Sequence, residues 1–267
     1  MSVKAFVFDL DGVVYRGKQP LPGAVQAIET LRQSGYQVYF FTNNSSKTRE
    51  EYVEKLGGMG LRCDINHIMT SSYATALYLT ENGAKSKKVY VVGMKGIRDE
   101  LTRVGMQIVE DDNFAEADFV VVGIDKNFTY DKLTKAQQAI LAGAEFIATN
   151  RDATFPMENG RILPGGGTIV AAIEVAVGRA PILIGKPSTY AMQKLVTVAS
   201  ADPSQVAIAG DRLDTDILVA NRIGALSILV LTGIATREDA ELAPPEMRPR
   251  LIVESISELP GLFAKES

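Results

Sequence analysis

Tryptophan is absent from the 267 residues, and histidine and cysteine occur once each, as His67 and Cys63. One cysteine excludes an intrachain disulfide and a multi-thiolate zinc site. The sixth position after Cys63 is Met69 rather than arginine, so the Cys-to-Arg loop with which a thiolate nucleophile holds an oxyanion is missing as well. His67 sits in the polar stretch Asp64-Ile65-Asn66-His67 and reads as a loop or strand-edge residue; a Ser-His-Asp triad or a phosphohistidine would depend on it alone. Long apolar runs of membrane-spanning length are also lacking. The first residues, Lys4-Ala5-Phe6-Val7-Phe8-Asp9, carry neither a basic leader nor a small-residue cleavage site, so the cytoplasm is the expected compartment and no membrane partner is expected. Net charge is -4, which gives no electrostatic footprint for nucleic acid. Chemistry is left to Asp, Glu, Lys, Ser or Thr, alone or with an oxygen-bound metal.

Hydrophobic residues make up 46% and charged residues 22%, the composition of an ordinary globular protein, and the length suits one large domain or two unequal ones. The pattern predicts strands over 3–8 and 37–41, with helices over 24–33, 48–56 and 73–81. This βαβα alternation calls for a parallel sheet covered on both faces. The polar run Glu81-Asn82-Gly83-Ala84-Lys85-Ser86-Lys87-Lys88 reads as a boundary. Beyond it come strands over 89–92, 119–123 and 146–149 and helices over 97–104, 130–141 and 168–177. A third series opens after Arg179-Ala180-Pro181, with strands over 182–184, 206–209, 227–231 and 251–253 and helices over 189–200 and 214–223. The middle series is either an inserted domain or part of one long sheet.

Four motifs follow apolar strands. Asp9-Leu10-Asp11-Gly12 ends the first one, where open α/β sheets place ligands. Residues two apart on a strand point the same way, so both carboxylates converge at a repulsive cost unless a cation or proton lies between them. A strand-end Asp followed by an Asp-Gly turn is the plain alternative. Asp211 follows another strand in Gly210-Asp211-Arg212-Leu213-Asp214-Thr215-Asp216; helix capping accounts for Asp214 and Asp216 but not for Asp211. Such an oxygen-rich set suits Mg2+. Thr42 and Asn43 open Thr-Asn-Asn-Ser-Ser, which is either a phosphate-holding turn or an ordinary loop. Lys186, between an apolar strand and Pro187, is either a solvated lysine or the cation that neutralises a phosphate and its nucleophile.

In this order the motifs Asp9-Leu10-Asp11-Gly12, Thr42-Asn43, Gly185-Lys186-Pro187 and Gly210-Asp211 through Asp216 resemble those of the haloacid dehalogenase (HAD) superfamily of phosphohydrolases, in its NagD-like, 4-nitrophenylphosphatase-like branch. The resemblance spans essentially the whole chain. It implies an α/β fold: a Rossmann-like parallel-sheet core from residues 1–80 and 181–267, with 81–180 inserted as an αβ cap of the C2 type. Thr149-Asn150-Arg151-Asp152 with Phe155-Pro156, and Pro164-Gly165-Gly166-Gly167-Thr168, are similar to that cap's segments, the first being its specificity loop. The family pattern makes Asp9 a nucleophile that forms an aspartyl-phosphate and Asp11 the acid and then the base. Mg2+ would be held by Asp9, the Asp11 backbone carbonyl and Asp211. Thr42, Asn43 and Lys186 would hold the phosphoryl oxygens, Asp216 would orient a metal-bound water or Lys186, and Asn150 and Asp152 would meet the substrate. The implied partner is a small phosphorylated metabolite, and an inserted cap can support a homodimer. A phosphotransferase on the same scaffold and a non-enzymatic phospho-acceptor or binding protein are the competing readings.

Overall fold

The computed structural model describes residues 3–156 and 162–264. Eleven strands build two parallel sheets. In chain order they are β1 Ala5–Phe8, β2 Gln37–Thr42, β3 Ile68–Thr70, β4 Lys88–Val92, β5 Gln107–Val109, β6 Phe119–Val122, β7 Glu145–Ala148, β8 Ile182–Leu183, β9 Val206–Gly210, β10 Leu226–Val230 and β11 Leu251–Val253. The first sheet has the order β11-β10-β9-β1-β2-β3 and the second the order β8-β7-β6-β4-β5. Strand β1 lies between β9 and β2, with Phe8 opposite both Ala209 and Phe40. The residues that leave β1, β2 and β9 therefore emerge side by side at one edge of the sheet.

The helices used below are α1 Ala24–Gln33, α2 Arg49–Gly58, α3 Ser71–Glu81, α4 Lys95–Arg103, α5 Tyr130–Leu141 and α6 Gly166–Val177. Two of them, α1 and α5, cover the spans expected from their apolar spacing. Thr48 caps α2 with its side chain and Glu51 returns the bond, a reciprocal capping box. Of these eleven strands, two escape the sequence pattern, β3 and β5, each only three residues long.

One expectation is corrected. The sequence pattern puts the strand at 182–184 at the start of the core's second part, but β8 pairs in parallel with β7, Ile182 opposite Ile147 and Leu183 opposite Ala148. It is the edge of the second sheet, and the chain returns to the core only after Leu183. A short apolar run does not disclose which sheet it joins; that depends on partners supplied by the rest of the chain.

Both faces of the first sheet are dry. On one, Phe6, Phe8 and Phe40 pack with Ile28 and Leu31 of α1. The other belongs to a cluster that runs from Val7, Phe41 and Ile208 through Ala74 and Leu79 of α3 to Val91, Ile97, Leu101, Val121 and Ile147 of the second sheet and α4. The two sheets thus share one apolar body. Each fully buried aliphatic side chain in it contributes roughly 1.5–3 kcal/mol. No helix among the described residues is long and apolar enough to cross a membrane.

The seat between the sheets has a polar element. Glu100 of α4 is buried at 1% exposure and accepts a hydrogen bond from the Arg49 backbone N–H at 3.3 Å. The Arg49 guanidinium lies 3.4 Å from the Tyr73 ring centroid, a desolvated cation–π contact. Beside it Gly96 donates its N–H to Ser46 O at 3.2 Å, and a Cβ on Gly96 would stand 2.5 Å from the Lys47 carbonyl oxygen. Gly96→Ala should therefore cost about 1–3 kcal/mol by overpacking and lower the thermal midpoint. A melt identical to the parent's would show that the seat has room to spare.

Candidate active site

Asp9 follows β1, and its N–H is held by Ala209 O at 2.9 Å, which fixes where the side chain leaves the sheet. Asp211 directly follows β9. Asp216 stands in a single π-helical turn, Leu213–Ile217, rather than in the regular helix expected from 214 onward. This wider turn brings Asp216 back toward the sheet. Carboxylate oxygens of Asp9, Asp211 and Asp216 lie within 4.8 Å of one another.

Lys186 enters this cluster with all three N–H groups engaged. Its Nζ donates to Asp9 Oδ1 at 2.6 Å, to Asp216 Oδ1 at 2.6 Å and to Phe41 O at 3.1 Å. It is 2% exposed, so it is no surface lysine. Asp211 accepts from the Ile234 N–H at 2.9 Å, and the second oxygen of Asp216 accepts from Arg212 N and Thr215 Oγ1, both at 3.3 Å. Glycine is required beside Asp211: Gly12 has φ +87°, and a Cβ there would lie 2.6 Å from Asp211 Oδ2.

The electrostatics are those of a crowded anion site. Burial raises the Asp9 carboxyl well above its ordinary range; Lys186 opposes this, and Asp216 and Asp211 add to it. Asp211 is pushed up to about 7, first by burial and then by Asp216. Burial alone would lower the Lys186 ammonium, but Asp216 and Asp9 hold it above its usual value. Three carboxylates face one ammonium, which leaves two negative charges in excess among hard oxygen donors. That balance fits a divalent, oxygen-loving cation such as Mg2+.

Asp11 lines the same cavity but stands outside the trio. Its Oδ2 accepts from the Tyr15 hydroxyl at 3.2 Å. Burial raises its carboxyl, with Lys55 and then the Tyr15 hydrogen bond opposing. Any part it has in metal binding therefore rests on its backbone carbonyl, while the trio contains Asp216, which the sequence reading placed behind the metal.

Thr42 lines the cavity, and its Oγ1 accepts from Asn44 N at 3.1 Å. Asn43 is expected to hold a phosphoryl oxygen, and its side chain is committed elsewhere. Both Nδ2 hydrogens are spent, on Asp152 Oδ1 and Lys186 O at 3.0 Å each, and Oδ1 accepts the Lys186 N–H at 2.9 Å. Asn43 thus clamps the backbone that carries Lys186 and ties it to the cap. Asn150, 3% exposed, donates to Asn43 O at 2.8 Å and accepts from Asp152 N at 3.1 Å, so its amide also seats the cap loop. Arg151 is exposed and pairs with Glu174 of α6. Asp152 faces the cavity with one oxygen bound by Asn43; burial raises its carboxyl, and Asn43 and Arg212 oppose the rise.

The cap closes the cavity with Ile124, Thr154, Gly165 and Gly166 in addition to Asn150 and Asp152. Arg212 also lines it, and sequence reasoning missed that role. The only signal for Arg212 was its place beside Asp211. The backbone of Thr154–Pro156 forms an antiparallel ribbon with Ile162–Pro164 beside this opening. His67 and Cys63 take no part in the cavity lining.

Known proteins resemble this chain along nearly its whole length. A haloacid dehalogenase-like hydrolase family profile matches residues 6–107, and a HAD-hydrolase-like profile matches residues 183–259. The acid sugar phosphatase of Staphylococcus saprophyticus is 38% identical over 260 residues, covering 97% of this chain and 98% of its own length. The solved p-nitrophenyl phosphatase from Archaeoglobus fulgidus superposes with a TM-score of 0.89 at 33% identity, over 98% of this chain and 100% of that one. The glycerol phosphate phosphatase of Mycobacterium tuberculosis, solved in complex with magnesium, gives a TM-score of 0.88 at 35% identity, over 97% of this chain and 76% of that one.

The raised carboxyls predict a stability that depends on pH and metal. With chelator present, the folded chain keeps protons on Asp211 and Asp9 that the unfolded chain has already released. Stability should therefore fall as pH rises from about 4 to about 7. Mg2+ should restore the thermal midpoint at the upper end of that range by binding the folded state. Asp211→Asn should remove most of the Mg2+-induced shift. Melts with and without Mg2+ check this, and a midpoint indifferent to the ion in the parent protein would contradict it.

Proposed function

The chain belongs to the haloacid dehalogenase-like hydrolases and is a phosphatase, and we propose that it cleaves phosphomonoesters of small, hydroxyl-rich metabolites through an aspartyl-phosphate on Asp9. One observation carries this reading. The Asp9 carboxylate is held at the floor of a cavity by a lysine whose other two N–H groups are committed to Asp216 and the Phe41 carbonyl, and a second carboxyl, Asp11, opens onto the same space.

In the first step an Asp9 oxygen attacks phosphorus and the ester P–O bond breaks. The leaving oxygen takes the proton of Asp11 and departs as an alcohol. In the second step a water gives a proton to Asp11 and attacks the same phosphorus. The Asp9–phosphorus bond breaks, inorganic phosphate leaves, and both carboxyls return to their starting state. Lys186 keeps Asp9 oriented and offsets negative charge as the phosphoryl group transfers. Asp9, Asp211 and the backbone carbonyl of Asp11 would hold Mg2+, with Asp216 within reach; when bound, the ion supplies positive charge that lowers the repulsion between nucleophile and phosphate. The Thr42 hydroxyl lies where it can meet a phosphoryl oxygen.

The leaving group faces the cap. There Asp152 can accept hydrogen bonds and Arg212 can donate them, a pairing that suits hydroxyl groups, which do both. The relatives named for sugar and glycerol phosphates support this substrate class.

Phosphate release from 4-nitrophenyl phosphate and from glycerol and sugar phosphates, with and without Mg2+, tests the reading. Asp9→Asn should lower kcat by at least about a thousandfold while the far-UV CD spectrum is unchanged. Substantial turnover by that variant would remove Asp9 as nucleophile. Asp152→Ala should lower kcat/KM for glycerol phosphate more than for 4-nitrophenyl phosphate and leave the Mg2+ requirement as it was. An equal loss on both would show that Asp152 seats the cap without reading the substrate.

A further inference from the structure

Tyr15 is among the largest fully buried side chains, and a filler of the core is its plain description. Its placement says more. After β1 the chain folds back in a tight loop in which Leu10 O accepts from Val14 N at 3.0 Å and from Tyr15 N at 3.2 Å, while Gly12 N donates to Tyr15 O at 2.8 Å. Asp11 and Tyr15 are bridge partners across that loop. The phenol is turned toward Asp11, and its hydroxyl reaches Oδ2 rather than a backbone carbonyl or solvent. From α2, the ammonium of Lys55 stands 3.4 Å from the Tyr15 ring centroid.

A neutral carboxyl has one carbonyl-like oxygen, which accepts hydrogen bonds well, and one hydroxyl oxygen, which donates. A phenol that donates to Oδ2 favours the form in which Oδ2 is the carbonyl and Oδ1 bears the proton. Once that proton is given up, Oδ2 keeps the bond and it becomes charge-assisted. A cation over the ring draws electron density from the phenol and makes its O–H a stronger donor. We propose that Tyr15, backed by Lys55, is the positioning residue for Asp11: it occupies Oδ2 and so leaves Oδ1 as the oxygen that exchanges protons with the leaving group and with water. The inference rests on the acid–base reading of Asp11. Tyr15 touches neither substrate nor metal in it and acts only through that carboxyl.

Leaving groups differ in how much they need that proton. A 4-nitrophenolate departs without it, whereas an alkoxide does not. Formation of the aspartyl-phosphate governs kcat/KM, so the dependence of kcat/KM on leaving-group pKa isolates the acid step. The experiment measures that dependence with 4-nitrophenyl, phenyl and glycerol phosphates for the parent, Tyr15→Phe, Lys55→Met, Asp11→Asn and the Tyr15→Phe/Asp11→Asn double variant. Tyr15→Phe should lose about tenfold more on glycerol phosphate than on 4-nitrophenyl phosphate, the size expected for one hydrogen bond to a charged group. Lys55→Met, which leaves the core residue intact, should lose in the same order but less. Over Asp11→Asn, the Tyr15 change should add nothing. Equal losses on all three substrates, or a lowered thermal midpoint with kinetics unchanged, would overturn the proposal and return Tyr15 to the core. If Asp11→Asn itself keeps the parent's leaving-group dependence, the acid–base reading of Asp11 fails; if Asp11→Asn steepens it and both Tyr15→Phe and Lys55→Met leave it unaltered, only the positioning role fails.

Discussion

Among the described residues, Lys186 is the only cation that bonds within the trio of crowded carboxylates, to Asp9 and Asp216, and its burial makes that arrangement obligatory. An ammonium taken out of water needs every N–H satisfied and its charge met, and here two Asp oxygens and the Phe41 carbonyl meet both needs. The carboxylates in turn tolerate one another only through that ammonium and a further cation. Sheet order follows the same requirement. Strand β1 must lie between β9 and β2 so that Asp9, Asp211 and the Phe41 carbonyl converge, and all of these strands must run parallel so that their C-terminal ends open on one side.

The cap is held to this floor by polar and apolar means together. Asn43 is the joint between them: its amide grips the backbone of Lys186 on the core side and Asp152 on the cap side. Asn150 closes the circuit through the Asn43 carbonyl. These four residues form a network whose donors are nearly all used internally, the condition under which buried polar groups rigidify a site. In the proposed reaction, substrate contact falls to the cavity-lining groups with spare capacity, Asp152, Arg212 and Thr42.

Much of this was legible in the sequence because strand ends announce themselves. An apolar run that stops at Asp9, Thr42 or Asp211 marks both the strand and the candidate site residue at its end. Helices α1 and α5 could be read to the residue from apolar spacing alone. Short elements could not. Three residues of β3 between a turn and a helix cap carry too little period to register, and β8 revealed its strand character but not its sheet. Side-chain amides were the other blind spot. Asn43 and Asn150 are expected to meet phosphate and substrate, and the bonds of their side chains to the backbone and to Asp152 are not disclosed by spacing. The partnership of Tyr15 with Asp11 is likewise set by a loop geometry that spacing does not encode.

Only two residues, Ile184 and Gly185, separate Leu183 at the edge of the second sheet from Lys186. Ile184 N and Gly185 N still bond to Ala148 O and Thr149 O, so the lysine is hung from the cap's own backbone. The cap is therefore not an exchangeable lid in an evolutionary sense. Duplication or recombination could replace the segment from β4 to α6 and alter what is recognised, but a breakpoint placed at β8 would move the lysine with it. Diversification of this architecture is channelled to the loops around Asp152, while the return strand is inherited together with the catalytic floor.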